Sequence, residues 1–151
     1  DQVQCRETMR TIVRLGSRVP LHASGVGKAI FATLPDEKVD AILKVNGLPR
    51  ITDNTITSPD TMWAALRVIR QRGFSFDDAE HLVGTRCVAS PIYDEHAECR
   101  GAISIAGPVA RLPDARIRQL GPVVAHTAEE ITRKLGGRWP HPHRGGPGAS
   151  V

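Results

Sequence analysis

The chain has 151 residues, of which 40% are hydrophobic and 24% charged, a composition typical of one ordinary globular domain. Its three cysteines, Cys5, Cys87 and Cys99, form no CxxC pair, which argues against a disulfide framework or a zinc knuckle and favours a reducing compartment. No apolar run approaches the roughly 18 residues of a membrane span, and the polar amino end is unlike a signal peptide. These features predict a soluble, cytoplasmic protein without membrane partners.

The net charge of +4 lies at the two ends of the chain. Residues 1–18 and 138–151 each carry a net charge of +2, whereas residues 19–137 have equal numbers of acidic and basic side chains. A nucleic-acid surface normally places its basic excess on the folded body. The six aromatic residues are also too few for a base-stacking platform. We therefore expect this chain alone to bind nucleic acid poorly.

Helix start and stop signals dominate the first half of the chain, after residues 2–13, whose alternating pattern predicts two short strands. N-cap, proline and glycine positions predict three helices. They run from Ser24 to Pro35, from Asp36 to Val45, and from Ser58 to Gly73. In the third, Met62, Leu66 and Ile69 form one apolar face.

Strand patterns follow in the second half. Phe74 and Phe76 alternate around a serine, and Thr85–Tyr93 and Cys99–Ala106 are predicted to pair as a hairpin around a turn that begins at Asp94. A last helix begins at Pro113, is ended by Gly136, and has its apolar face at Ile117, Leu120, Val124, Ile131 and Leu135. Residues 138–151, rich in Gly and Pro, predict a disordered tail. The order of elements indicates an α+β fold with an antiparallel sheet flanked by helices.

The segment PLHASGVGK is the first candidate site. Small residues at the start of a helix expose backbone N–H groups that bind anions. The same glycines are equally explained by close packing. Lys28 either helps such a site or is solvated, and His22 is more typical of a structural hydrogen bond than of a catalytic base.

The segment FDDAEH places Asp77, Asp78, Glu80 and His81 within five positions. These groups suit a metal ion, but a charged turn between two strands is the favoured interpretation, and we predict no metal or other cofactor. Asp77 follows the alternating strand directly and is expected to point inward.

Cys87 lies in an apolar strand, where a cysteine is usually a small buried hydrophobe. A nucleophilic role would need a nearby His22 or His81 to lower the pKa of its thiol. Ser104 should share a face with two alanines, as a core serine or as a ligand contact. Together these groups predict a small concave site for a polar acid, without a convincing pair of base and nucleophile.

Five segments carry a resemblance to a known family: PLHASGVGKAIFATLP, TDNTITS, IRQRGFSFDDAEH, RCVASPIYDEHAE and GAISIAGP. They resemble the effector-binding domain of IclR-family bacterial transcription regulators, over residues 1–137. The resemblance implies a GAF- or profilin-like domain around a six-stranded antiparallel sheet. It also implies that this chain lacks the family's opening helix and strand and its winged helix-turn-helix domain.

The resemblance further implies a dimer or tetramer that acts as a repressor on operator DNA and has no enzymatic activity. The effector would be a small organic acid such as glyoxylate or pyruvate, held by positions that match Gly25, Val26, Asp77, Cys87 and Ser104. Binding would favour one arrangement of the regulator.

One position departs from this pattern, because a family member has a second serine where this chain has Ala106. Asp77, if ionised, repels an anion but can accept a hydrogen bond. We therefore expect 2-hydroxy acids or hydrated glyoxylate to bind better than acetate. The alternatives are a GAF-like thiol enzyme that uses Cys87 and a pure oligomerisation module.

Overall fold

A computed structural model of the chain describes residues 2–4, 6–8 and 16–140. The described part contains four α-helices and three strands. In chain order they are α1 (Gly25–Phe31), α2 (Asp36–Asn46), α3 (Pro59–Arg72), β1 (Ser75–Asp78), β2 (Thr85–Tyr93), β3 (Cys99–Pro108) and α4 (Asp114–Lys134), with a short 3-10 helix (Val109–Arg111) before α4.

The helices begin where the sequence signals place them, and α2 and α3 also end as predicted. The Ser24 hydroxyl accepts a hydrogen bond from the Gly27 backbone N–H at 3.0 Å, which caps α1. Pro59 occupies the first turn of α3, where its missing N–H is not needed. Gly47 and Gly73 follow α2 and α3 with φ angles of 63° and 80°, the left-handed region that glycine adopts without strain.

The three strands form an antiparallel sheet in the order β1-β2-β3. Its register places Asp77 opposite Cys87, and Cys87 opposite Ala106, so the three residues form one row across the sheet. The predicted hairpin turn is confirmed. Asp94 stabilises it by accepting the backbone N–H groups of His96 and Glu98, each at 2.9 Å.

The two faces of the sheet have different partners. Side chains alternate between faces along a strand, and the Cys87 row faces α1, where the Ser75 hydroxyl donates to the Gly25 carbonyl at 2.6 Å. On the opposite face, Val88 packs with Ile117 and Val124 of α4 in a buried cluster. A second apolar core joins α1, α2 and α3 around Phe31, Ala32, Val39, Met62, Leu66 and Ile69.

The α+β fold, the hairpin and the buried face of α3 are as predicted. Three details were wrong. The first helix ends at Phe31 instead of Pro35, because the backbone N–H groups of Thr33 and Leu34 bond only three residues back in a turn. Leu135 is 67% exposed, because α4 ends at Lys134 and the last buried position on its inner face is Thr132. The charged turn is shorter than expected, because β1 continues through Asp78.

The ends of the chain are described only in part. The strands predicted for residues 2–13 fall largely outside the described residues, and residues 2–4 and 6–8 are not in a strand. Of the predicted tail, residues 141–151 lie outside the described part, while the Arg138 backbone N–H donates to the Asp94 carbonyl at 2.9 Å and Trp139 packs edge-on against Tyr93. The described sheet has three of the six strands that the resemblance implies. No helix in residues 16–140 is long and apolar enough to cross a membrane.

Candidate functional site

The start of α1 lies directly against β2. A Cβ atom added to Gly25 would be 2.7 Å from the Cys87 sulfur, so only glycine fits there without a displacement. The Val26 backbone N–H and the Ser104 hydroxyl lie near the Cys87 sulfur, where both favour the thiolate and lower its pKa against the larger effect of burial. The structure therefore brings together Gly25, Val26, Cys87 and Ser104, which are far apart in the sequence.

Asp77 joins this group from β1, as the neighbour of Cys87 in the sheet. It is 4% exposed, as the prediction of an inward carboxylate required. One oxygen accepts the Glu80 backbone N–H at 2.8 Å, and the His81 backbone also donates to this carboxylate. Burial raises the pKa of Asp77 above its usual value, and these N–H groups and the nearby Lys28 only partly oppose the shift.

Lys28 and Glu80 form a buried ion pair beside Asp77. The two residues are 2% and 6% exposed, and the Lys28 ammonium also donates to the Phe76 carbonyl at 2.6 Å. Lys28 is therefore not solvated, and its charge is directed toward Glu80. Burial raises the pKa of Glu80 despite the lysine. The second carboxylate oxygen of Glu80 is buried with no hydrogen-bond partner among the described residues.

A threonine-rich loop holds the turn that carries these carboxylates. The Thr55 hydroxyl donates to the Glu80 carbonyl at 2.7 Å, and the Thr52 hydroxyl donates to the Ala79 carbonyl at 2.8 Å. Asn54 adds a bond to the Asp78 carbonyl at 2.8 Å. Ala79 has a φ of 56°, an unfavourable left-handed conformation for alanine that these contacts maintain. The sequence predicted neither the Lys28–Glu80 ion pair nor these hydrogen bonds from the loop to the turn, although TDNTITS was among the segments that carry the family resemblance.

The electrostatics of the site do not favour a nucleophilic cysteine. Burial, followed by the charge of Asp77, raises the pKa of Cys87 to about 12, so its thiol is neutral at physiological pH. His22, one of two candidate bases, is instead bonded through Nε2 to the Pro49 carbonyl at 2.9 Å. In residues 16–140 no group of three or more His, Cys, Asp or Glu side chains is arranged to hold a metal ion.

The sixth candidate, Ala106, lies on β3 opposite Cys87 and is exposed, as is Ser104. This side of the site is therefore open in the described part of the chain. Two cavities lie elsewhere in the described part of the chain. One of about 330 Å³ is bounded by Arg70, Tyr93 and Trp139, and one of about 220 Å³ by residues of α1, α2 and the loop after it. None of the six candidate residues lines either cavity.

Comparison with known proteins identifies the family of the chain. Residues 1–133 match the family model described as bacterial transcriptional regulator IclR C-terminal. The acetate operon repressor of Salmonella typhimurium is 47% identical over 137 residues, which are 91% of this chain and 50% of that protein. The chain thus spans about half the length of the curated relatives it matches.

Solved structures give the same result. The IclR of Thermotoga maritima superposes with a TM-score of 0.83 and 34% identity, over 90% of this chain and 55% of the other. A double mutant of the PobR inducer-binding domain from Acinetobacter, in complex with 3-hydroxybenzoic acid, gives a TM-score of 0.73 and 28% identity, over 79% and 69% of the two chains. The relative with the highest of these identities is a repressor. This chain belongs to the IclR C-terminal domain family of bacterial transcriptional regulators.

Proposed function

We propose that this domain binds a small organic acid between the start of α1 and the sheet, at Gly25, Val26, Asp77, Cys87, Ser104 and Ala106. The observation that carries the proposal is the close contact between the start of α1 and Cys87, where the Val26 backbone N–H and the Ser104 hydroxyl are both near enough to the thiol to lower its pKa. An entering carboxylate replaces the weakly accepting thiol sulfur as their partner. The PobR domain supports this class of ligand, since it was solved with an aromatic hydroxy acid.

The ligand is a monocarboxylate such as glyoxylate or pyruvate, and a hydroxyl next to the carboxylate improves its binding. An ionised Asp77 repels the ligand's charge but accepts a hydrogen bond from such a hydroxyl. Because Ala106 has no hydroxyl, the ligand has one donor fewer on the β3 side than in a protein with serine there.

In the longer regulator, ligand binding shifts the population between arrangements of a dimer or tetramer and so changes operator affinity. The repressor activity of the Salmonella relative supports a cytoplasmic repressor. Operator DNA is bound by a helix-turn-helix domain outside these residues. This chain alone should therefore bind DNA weakly and without sequence preference. An electrophoretic mobility assay at physiological salt that shows sequence-specific retention would contradict this assignment.

Calorimetry with glyoxylate, pyruvate, lactate and acetate tests the binding site. We expect glyoxylate and lactate to bind more tightly than acetate, and Asp77→Ala and Ser104→Ala to weaken binding of both. Ser58→Ala is the matched control, because Ser58 is exposed and its hydroxyl caps no helix. If both alanine variants bind every acid as the wild type does, the ligand site lies elsewhere. If no acid binds to the wild type, a pure oligomerisation module is the better assignment.

A further inference from the structure

We propose that this pocket takes up an anionic ligand together with one proton, and that Lys28 and Glu80 set this stoichiometry without touching the ligand. The inference rests on the proposed function, and it assigns a role to two residues that are not among the proposed ligand contacts. Lys28 and Glu80 are positioning residues in this proposal, because they act through Asp77.

The first basis is the charge count of the buried cluster. Asp77, Glu80 and Lys28 are 4%, 6% and 2% exposed, and water therefore screens their charges little. Two carboxylates and one ammonium leave one negative charge, and among the described residues no other Lys or Arg is buried to balance it. The ligand would add a second negative charge beside a cluster that already carries one.

The neighbouring elements do not correct this imbalance. Within the described residues, β3 places only uncharged side chains on this face near Asp77, namely Ala102, Ser104, Ala106 and Pro108, and the Cys87 thiol of β2 is neutral. His81, in the turn, adds a positive charge only when its ring is protonated. Arg86 of β2 lies on the opposite face, where it pairs with Asp78 and Asp114 at 2.6 and 2.7 Å.

The second basis is that Glu80 is fixed in place. One of its oxygens accepts from Lys28, and its backbone carbonyl accepts from both Thr52 and Thr55. The other oxygen is buried and has no hydrogen-bond partner in the part of the chain that the structure describes. The carboxylate thus remains next to Asp77 when the ligand enters. Burial raises the pKa of both acids, and the charge of Asp77 raises the pKa of Glu80 further, so either carboxylate can accept an added proton.

The step is a simple association. The ligand monoanion leaves water, a proton from solvent bonds to a carboxylate oxygen of the Asp77–Glu80 pair, and no covalent bond to the ligand forms. Cluster and ligand together then carry one negative charge, the same as the empty cluster, instead of two. Avoiding an additional uncompensated charge beside the buried cluster is the physical reason for the proton.

Calorimetry of the wild-type chain with glyoxylate, in two buffers of different ionisation enthalpy near neutral pH, counts the protons taken up. We expect about one proton per ligand, and an affinity that approaches a tenfold loss per unit rise in pH where uptake is complete. Uptake of no proton in either buffer would overturn the inference.

Glu80→Gln separates this role from a merely structural one. Glutamine keeps the size of the side chain and a carbonyl oxygen for Lys28, but it has the charge of the protonated acid. We expect proton uptake to fall close to zero and the affinity for glyoxylate to become independent of pH. Glu37→Gln, an exposed residue at the start of α2, makes the same change in net charge and should keep the wild-type uptake.

The outcomes distinguish the two proposals. Absence of binding by glyoxylate, pyruvate, lactate and acetate overturns both the proposed function and this inference. Binding of glyoxylate without proton uptake overturns only the inference, as does a Glu80→Gln variant that is folded and still takes up one proton. The wild-type measurement decides the question even where Glu80→Gln fails to fold.

Discussion

Gly25 and Cys87 are in such close contact that residue 25 has no space for a side chain. The nearest atom to a Cβ there would be the Cys87 sulfur at 2.7 Å, followed by the Cys87 Cβ at 3.2 Å. The Ser75 hydroxyl donates a hydrogen bond to the Gly25 carbonyl at 2.6 Å and so holds the start of α1 against the sheet. The glycine therefore determines how closely the first turn of α1 approaches the sheet.

Gly25→Ala should reduce the free energy of unfolding by about 1–3 kcal/mol, the usual cost of overpacking, and abolish binding of small acids. Urea denaturation and calorimetry measure the two effects. In a protein that already carries Cys87→Ala, Gly25→Ala should reduce the free energy of unfolding by less, because the sulfur atom that contacts the new methyl group is absent. Gly101→Ala is the control, because a Cβ there has no atom within 4 Å. Equal costs at positions 25 and 101 would refute this account.

Ala106→Ser should tighten binding of glyoxylate by about 1–3 kcal/mol, the range for an added hydrogen bond to a charged group. The side chain lies opposite Cys87 and on the same face of β3 as Ser104, so its hydroxyl enters the same site. Calorimetry measures the change. Ala110→Ser, exposed in the 3-10 helix, should leave the affinity unaltered. Unchanged binding by Ala106→Ser would show that the ligand does not approach this strand.

Cys87 should resist alkylation by iodoacetamide at about pH 8, because a thiol with a pKa near 12 is almost entirely protonated there. The half-exposed Cys99 should react and serves as the internal reference. Peptide mapping by mass spectrometry identifies the modified residues, and labelling in denaturant confirms that Cys87 itself can be modified. Alkylation of Cys87 as fast as Cys99 would restore the thiol-enzyme alternative.

Thr55→Val should destabilise the domain by about 1–3 kcal/mol, because a buried hydroxyl with several partners is lost. Thr55 is 5% exposed; it accepts the backbone N–H groups of Ile51 and Thr52 at 3.1 and 2.8 Å and donates to Glu80 at 2.7 Å. Affinity for glyoxylate should fall as well, since the turn after Asp77 is released. Thr57→Val, at an exposed position, is the control. An unchanged free energy of unfolding in Thr55→Val would contradict a stabilising role of these hydrogen bonds.

Local signals were enough to predict most of the elements. The Ser24 cap, the Ser58-Pro59 start and the alternating strands on either side of Asp94 are properties of a few adjacent residues. The inward position of Asp77 also followed from alternation along β1. The candidate site residues came together as expected, although their role in binding stays a prediction.

The Lys28–Glu80 pair could not be predicted in this way. The two residues are 52 positions apart, and each has an ordinary explanation as a solvated charge on a helix or in a turn. Their pairing depends on how closely α1 approaches β1, which is a tertiary property. The same limit explains Leu135: its helical spacing is correct, but α4 has ended by that point.

The sheet between α1 and α4 is a single layer, and Cys87 and Val88 are consecutive residues on its two sides. Val88 is fully buried beneath α4, while Cys87 meets the start of α1. One peptide unit joins them, so a sideways shift of the backbone at Cys87 also moves a side chain that supports Ile117 and Val124. The backbone between Cys87 and Val88 therefore links the proposed ligand site to α4, the longest of the described helices.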